Sequence, residues 1–255
     1  MYLNYFLCFM LFNERAIIRL ETVDSTNNYA ANLVRLSLPP EGTVITAQEQ
    51  TFGKGQRNSD WESLSGENLL CSVVLYPKFL RAENQFTLSQ TIAVALREIF
   101  EHEMETEAFI KWPNDIIVND KKIAGILIEN TLSNQRLSSS IIGIGINVNQ
   151  TSFDTLKATS MKRVTGKFHD VEALLLFLIH SIEKYYFKLQ TVGSTEITQM
   201  YNEHLYKLNR LSDFVFENRQ IKATITGVDI SGKLKLKNED GQQFSCDLKE
   251  ISMIL

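Results

Sequence analysis

The chain has 255 residues, 44% of them hydrophobic and 22% charged, which are globular proportions that exclude a disordered chain. Only 12 glycines and 4 prolines are present, so a collagen-like or low-complexity chain is excluded as well. Lys+Arg total 26 against 30 Asp+Glu, a net charge of −4, which argues against a whole-molecule field for DNA or anionic lipid but leaves room for a local basic patch.

The first stretch, Met1 to Phe12, is apolar but short. It lacks a basic flank and a small-residue cleavage site, and it cannot span a bilayer. It reads as a dispensable extension, with Met10 as an equally good start, or as a buried first strand. Ile17 to Leu20 reads as a short strand. Asp24-Ser25-Thr26-Asn27 then precedes NYAANLVRL, so Asp24 or Ser25 is expected to cap a helix running to about Leu36. Val44 to Gln48 is a strand, Thr51 to Gly66 a polar loop, and Asn68 to Tyr76 an alternating strand. Phe86 to Glu101 has helical periodicity with an apolar face.

Strands follow at Ala108 to Lys111, Ile116 to Val118 and Ile123 to Glu129, the last two forming a hairpin around Asn119-Asp120. Ile141 to Asn147 is another strand. It contains Gly143 and Gly145, which signal close backbone approach by something else. Val171 to Leu189 and Thr195 to Leu208 read as helices. After Leu208 the texture changes to short strands, at 214–216, 221–228, 233–237 and 243–248, with turns at Asn218, Gly232 and Gly241. This spacing predicts a small SH3-like barrel. The expected class is α+β, a mixed or antiparallel sheet with flanking helices. The expected division is a first domain over 1–208 and a second over 209–255.

The cysteines, Cys8, Cys71 and Cys246, are odd in number and far apart. They suit neither a zinc spacing nor a disulfide framework, so a cytoplasmic location is expected. His102, His169, His180 and His204 are scattered and lack ligand partners, and Ser138-Ser139-Ser140 has no His-Asp context for a hydrolase triad.

Four segments could carry chemistry. Gly53-Lys54-Gly55-Gln56-Arg57 could wrap backbone N–H groups and two cations around an anion, or be an exposed loop. It is neither a P-loop nor a dinucleotide fingerprint. Lys111-Trp112-Pro113-Asn114-Asp115 could bond its own turn, or place Asn114 on a base or ribose and Asp115 near a cation. Lys122 leads an apolar strand containing Ala124 and Gly125. It could bridge a carboxylate and a phosphate, or be a surface lysine like Lys121. Asn147 ends the glycine-containing strand and could bond a nucleotide, or serve a turn.

In their order and spacing these segments, with DSTN before them, resemble the biotin protein ligases. The motifs are DSTN, AQEQTFGKGQRNSDW, KWPND, KKIAGILIE and GIGINVN, between Thr22 and Asn149. The resemblance implies a mixed sheet with flanking helices and an SH3-like C-terminal domain. It implies an enzyme that activates biotin with ATP and Mg²⁺ as biotinyl-AMP and transfers it to a lysine of a biotin carboxyl carrier protein, as in acetyl-CoA carboxylase. Ser25, Thr26 and Gln50 would bond the ureido ring, with Asn27 beside them. Gly53, Lys54, Gly55, Gln56 and Trp61 would cover biotin and the phosphates, and Gly125 would allow backbone approach. Lys122 would contact the biotin carboxylate and α-phosphate, with Lys54 and Arg57 also serving catalysis. Lys111, Asn114, Asp115 and Asn147 would serve the nucleotide, with Asp115 also a Mg²⁺ ligand.

One departure stands out. Many members carry Arg-Gly-Arg-Arg-Gly where this chain has Lys54-Gly55-Gln56-Arg57-Asn58, so Gln56 stands where an arginine often grips the intermediate. Only residues 1–23 precede Asp24, too few for the helix-turn-helix that some members use on DNA. The expectation is a ligase without operator binding or membrane association, as a monomer or homodimer. The rival expectations are a lipoate or octanoate ligase, a non-catalytic biotin sensor, and an interaction module built on the barrel.

Overall fold

A computed structural model describes residues 17–56 and 60–254. The N-terminal apolar stretch, Cys8, Arg57 and Asn58 therefore lie outside the described residues. Twelve strands and five helices follow one another as β1 (Ile17–Val23), α1 (Thr26–Ser37), β2 (Val44–Gln50), β3 (Leu69–Leu75), α2 (Phe86–Met104), β4 (Phe109–Lys111), β5 (Asp115–Val118), β6 (Lys121–Ser133), β7 (Arg136–Ile146), α3 (Met161–Thr165), α4 (Val171–Val192), α5 (Ser194–Glu203), β8 (Leu211–Phe216), β9 (Arg219–Val228), β10 (Leu234–Asn238), β11 (Gln243–Cys246) and β12 (Ile251–Met253) among the described residues.

The first sheet has seven strands in the order β1-β2-β3-β7-β6-β5-β4. Only β1 and β2 pair parallel; the other neighbours are antiparallel. Every residue of β3 is buried, because helices cover the sheet on both faces and a strand in that position reads as a continuous apolar run. On one face Ala30 of α1 packs with Ile45, Val74 and Ile141. On the other, Leu69, Val73 and Leu75 join Leu88, Ile92 and Leu96 of α2 and Leu175, Leu178 and Ile182 of α4.

The β5–β6 turn is the expected one, with Asn119 and Asp120 at φ +50 and +59, the left-handed pair of a tight hairpin. A second such pair, Asn134 and Gln135 at φ +49 and +62, joins β6 to β7. β6 continues to Ser133, beyond the Glu129 expected from the sequence; past Glu129 the strand is largely exposed and polar and shows no buried alternation. The helix expected to reach Leu208 ends at Glu203. The chain there turns to hold the rest of the molecule, with Tyr206 N donating to the Ile110 carbonyl.

The second sheet is five-stranded and antiparallel, in the order β11-β10-β9-β8-β12. This is the small SH3-like unit expected, with one strand more, since β12 is too short to signal itself. It is fastened to the first sheet at named points. Trp112 Nε1 donates to the Gly232 carbonyl at 2.9 Å. Asn202 Nδ2 donates to the Val228 carbonyl at 3.1 Å and its Oδ1 accepts from Val228 N at 2.8 Å. No helix among the described residues is long and apolar enough to cross a membrane.

Candidate functional site

A cavity of about 40 Å³ opens where α1, β3, β6 and β7 meet the loop after β2. Ser25, Thr26, Asn27, Gln50, Lys54, Gly55, Gln56, Trp61, Lys122 and Gly125 all line it, together with Asn114 and Cys71. Most of the expected substrate residues are thereby gathered from five separate elements.

The polar end is built on the first turn of α1. Ser25 stands at the N-cap but makes no side-chain cap bond, so its hydroxyl is left for the cavity. Gln50 Oε1 accepts from Thr26 N at 2.7 Å, which leaves the Gln50 amide nitrogen as the end able to meet a ligand. Ser72 Oγ lies 2.8 Å from Thr26 Oγ1 and 2.6 Å from Asn27 Oδ1. Asn27 Nδ2 donates to Glu129 Oε2 at 2.7 Å.

The other end is cationic. Lys122 Nζ is 2.7 Å from Asp115 Oδ1, and Lys111 Nζ is 3.7 Å from Asp115 Oδ2. The Lys122 ammonium also stands 5.3 Å from the centroid of the Trp61 ring, within cation–π range. The backbone of Lys122 is held on both sides, its N–H donating to the Lys157 carbonyl and its carbonyl accepting from Thr159 N.

Trp61 lines the cavity, and it explains the strand glycines. A Cβ at Gly145 would stand 2.5 Å from the indole, and one at Gly125 would stand 2.9 Å from it. Gly143 serves Asn27, whose Oδ1 would be 2.4 Å from a Cβ there. The close approach that the sequence suggested is thus made by the protein's own side chains. Gly125, expected to admit the ligand, admits Trp61 and Lys122. The indole Nε1 is buried and has no hydrogen-bond partner among the described residues.

The covering loop is pinned at both ends. Phe52 N donates to the Asp24 carbonyl, and Trp61 N donates to the Gly53 carbonyl. Lys54 Nζ reaches Asn28 Oδ1 at 2.6 Å. Gly53 lies behind the lining rather than in it, 2.8 Å from the Trp61 carbonyl by its would-be Cβ.

A second cavity, of about 180 Å³, lies between the two sheets. Lys111, Trp112, Pro113, Asn114 and Asp115 form one wall; Phe214, Ile225, Leu234, Ile251 and Met253 form the other, and Gln56 borders both cavities. The bond between Trp112 and Pro113 is cis. Asn114 is partly committed, its Nδ2 donating to the Ile126 carbonyl at 2.7 Å.

Asn147 is not brought to either cavity. It is 4% exposed and its Nδ2 donates to the Thr159 carbonyl at 3.0 Å, holding the loop that in turn holds Lys122. The sequence pointed to Asn147 through its place at the end of the glycine strand, and the structure gives that place a packing reason. The expected metal ligand is also differently placed. The Asp115 carboxylate faces two ammonium groups, and no cluster of His, Cys, Asp or Glu suited to a metal occurs among the described residues. That donor set does not fit a protein-held Mg²⁺. The residues bonded to the polar end that sequence reasoning missed are Ser72 and Glu129. Glu129 ends the KKIAGILIE segment and Ser72 lies on β3, which carries no motif; nothing in their spacing marks either.

Burial raises the Cys71 thiol to about 12, so it lines the cavity as a small apolar group rather than a nucleophile.

A family model described as the biotin/lipoate A/B protein ligase family matches residues 20–147. The chain is 32% identical over 241 residues to the bifunctional ligase/repressor BirA of Bacillus spizizenii, covering 91% of this chain and 73% of that protein. It is 29% identical over 236 residues to a biotin–[acetyl-CoA-carboxylase] ligase of Paracoccus denitrificans, covering 88% and 95%. Among solved structures, a biotin protein ligase from Aquifex aeolicus in complex with biotin and ATP matches with a TM-score of 0.78 at 28% identity, covering 93% of this chain and 98% of that one.

Proposed function

The chain belongs to the biotin/lipoate A/B protein ligase family, and from that premise we propose that it activates biotin with ATP and transfers it to a lysine of a biotin carboxyl carrier protein. The observation that carries the reading is the polarity of the first cavity. One end offers Ser25, Thr26 and Gln50, the other the Lys122 ammonium, with Trp61 between them. Asn27 and Trp61 sit over Gly143 and Gly145, two residues and about 7 Å apart along one strand. A ligand with a hydrogen-bonding ring and a carboxylate at the end of an apolar tail fits this order. A dithiolane or a plain alkyl chain would leave the polar end unpaired, at a cost of about 1–3 kcal/mol per group.

In this reading the biotin carboxylate attacks the α-phosphorus of ATP, pyrophosphate leaves, and the mixed anhydride biotinyl-AMP forms. The carrier lysine amine then attacks the carbonyl carbon and AMP leaves. Two anions must meet in the first step, and Lys122, with Lys54 and Arg57 in support, offsets that repulsion. Asp115 holds the Lys122 ammonium in place. Mg²⁺ belongs to the substrate, entering on the ATP phosphates. The second cavity receives the nucleotide, with Lys111 and Asn114 on one side and the apolar wall of the second sheet on the other. The division at 208/209 then separates a catalytic unit from one that completes the nucleotide site.

Pyrophosphate exchange into ATP, with biotin, lipoate or octanoate added singly, tests the proposal. Exchange with biotin alone is expected, and Lys122→Ala is expected to abolish it. Exchange supported by lipoate or octanoate instead would move the chain to the sister activity of its family. Biotin binding without exchange would favour the sensor.

A further inference from the structure

We propose that Glu129 is a positioning residue for the bound acid, acting through Asn27 to make the polar end of the cavity accept a hydrogen bond from a ligand N–H. The inference rests on the proposed biotin activity and deepens it. Glu129 is an exposed residue of β6 whose carboxylate reaches Asn27, whereas Asn27, Ser72 and Thr26 are at most 3% exposed.

The direction of each hydrogen bond follows from what each group can do. A carboxylate accepts and does not donate, so the Asn27 atom 2.7 Å from Glu129 Oε2 must be the amide nitrogen. The nitrogen also points to the Leu127 carbonyl, 3.4 Å away. Asn27 Oδ1 is therefore turned inward, over Gly143, where a Cβ would stand 2.4 Å from it. An amide oxygen can only accept, so the single Ser72 proton goes to Asn27 at 2.6 Å. Ser72 then has only lone pairs for Thr26, 2.8 Å away. The one Thr26 hydroxyl proton is taken within the protein, by Ser72 or by Gln50 Oε1 at 3.1 Å. What Thr26 turns to the ligand is a lone pair.

Reversing Asn27 would reverse the chain. Its nitrogen would donate to Ser72, and the Ser72 proton would then occupy a Thr26 lone pair, leaving the Thr26 proton only Gln50 Oε1, 3.1 Å away, or the ligand. Thr26 would then have lost a lone pair for a ureido N–H, and its proton, wherever it turned to the ligand, would repel that N–H instead of binding it. Glu129 forbids that reversal, because Asn27 Oδ1 would meet a carboxylate oxygen. Buried networks of this kind are costly when one member is mispaired, so an exposed carboxylate can govern a ligand it does not touch.

The test uses Glu129→Ala and Glu129→Gln in the full chain, with KM and kcat for biotin and for ATP from pyrophosphate exchange, and biotin Kd by calorimetry. Glu129→Ala is expected to raise KM and Kd for biotin about tenfold, the loss of one well-aligned bond, while kcat and KM for ATP stay within about twofold. Glu129→Gln keeps the shape but satisfies either orientation of Asn27, and is expected to fall between wild type and Glu129→Ala. Ser72→Ala breaks the same chain one link on, so Glu129→Ala combined with it is expected to behave as the worse single variant. Unchanged biotin KM in Glu129→Ala, a parallel rise in KM for ATP, or additive effects in the double variant would each overturn the inference. A wild-type protein that neither binds biotin nor shows biotin-dependent exchange would instead overturn the proposed activity, and the inference with it.

Discussion

A methyl group at Gly145 would stand 2.5 Å from Trp61 Cε2, closer than two carbons can approach, so Gly145→Ala must push the indole off the strand. Trp61 also covers Gly125 and faces the Lys122 ammonium, so one displaced ring disturbs both the cavity's apolar middle and its cationic end. Overpacking of this kind typically costs about 1–3 kcal/mol. The expected outcome is a red-shifted tryptophan emission and a biotin KM raised at least severalfold, read by fluorescence and exchange kinetics. Emission and kinetics like wild type would mean that the indole does not rest there. The cysteines lead to a second expectation at this scale. Burial is the first cause that raises the thiols, Cys71 to about 12 and Cys246 to about 11. Iodoacetamide at pH 8 should leave both unlabelled in the folded protein and label both after denaturation, as read by mass spectrometry.

At the scale of elements, the segment between β7 and α4 shows how a loop is made rigid and where it yields. Asn149 and His169 close it, with Asn149 Nδ2 donating to the His169 carbonyl and His169 N donating to Asn149 Oδ1. Asp170 then caps α4, accepting from Glu172 N and Ala173 N. Desolvation by burial holds the His169 imidazole below its ordinary value of 6.5. The unfolded chain therefore binds a proton more readily than the folded one, and stability rises with pH through that window. Below about pH 6.5 this contribution is lost. His169→Gln should flatten the fall in Tm between pH 7 and pH 5, measured by calorimetry at each pH. An unchanged slope would assign the acid sensitivity to other groups. The same scale shows why some elements were legible. The Asn119-Asp120 turn declares itself by residue type, and α2 and α4 declare themselves by apolar periodicity. The outer half of β6 and β7 does not, because it is mostly polar, with only Leu132 and Leu137 apolar, and its strands are held by each other, Thr131 opposite Ser139 and Asn130 opposite Ser140.

The whole molecule is joined by contacts between its two sheets. Gly232 sits at φ +93, a backbone conformation natural only to glycine, and a Cβ there would stand 2.4 Å from the Phe86 ring. Its carbonyl accepts from Trp112 Nε1, and Trp112 belongs to the wall of the second cavity. Gly232→Ala therefore combines backbone strain with a clash, a loss of about 2–4 kcal/mol. It is expected to lower Tm by several degrees and to raise KM for ATP more than KM for biotin. A variant whose two KM values move together would show that the second sheet does not serve the nucleotide separately.

The sequence by itself determined the class of fold, most of the helices and strands, the family, and many of the side chains that gather at the first cavity. These follow from local periodicity, turn chemistry and motifs whose residues lie within a few positions of each other. Only the tertiary structure decided what each of those residues is committed to. Asn147 holds Thr159, Asn114 holds Ile126, Asp115 is shared by two lysines, and the strand glycines make room for Trp61 and Asn27. Asn27 and Glu129 are 102 residues apart in the chain, and no local pattern records such a pairing. Which donor meets which acceptor is settled only when the packed sheet brings strands of distant sequence side by side and excludes the water that would otherwise satisfy both.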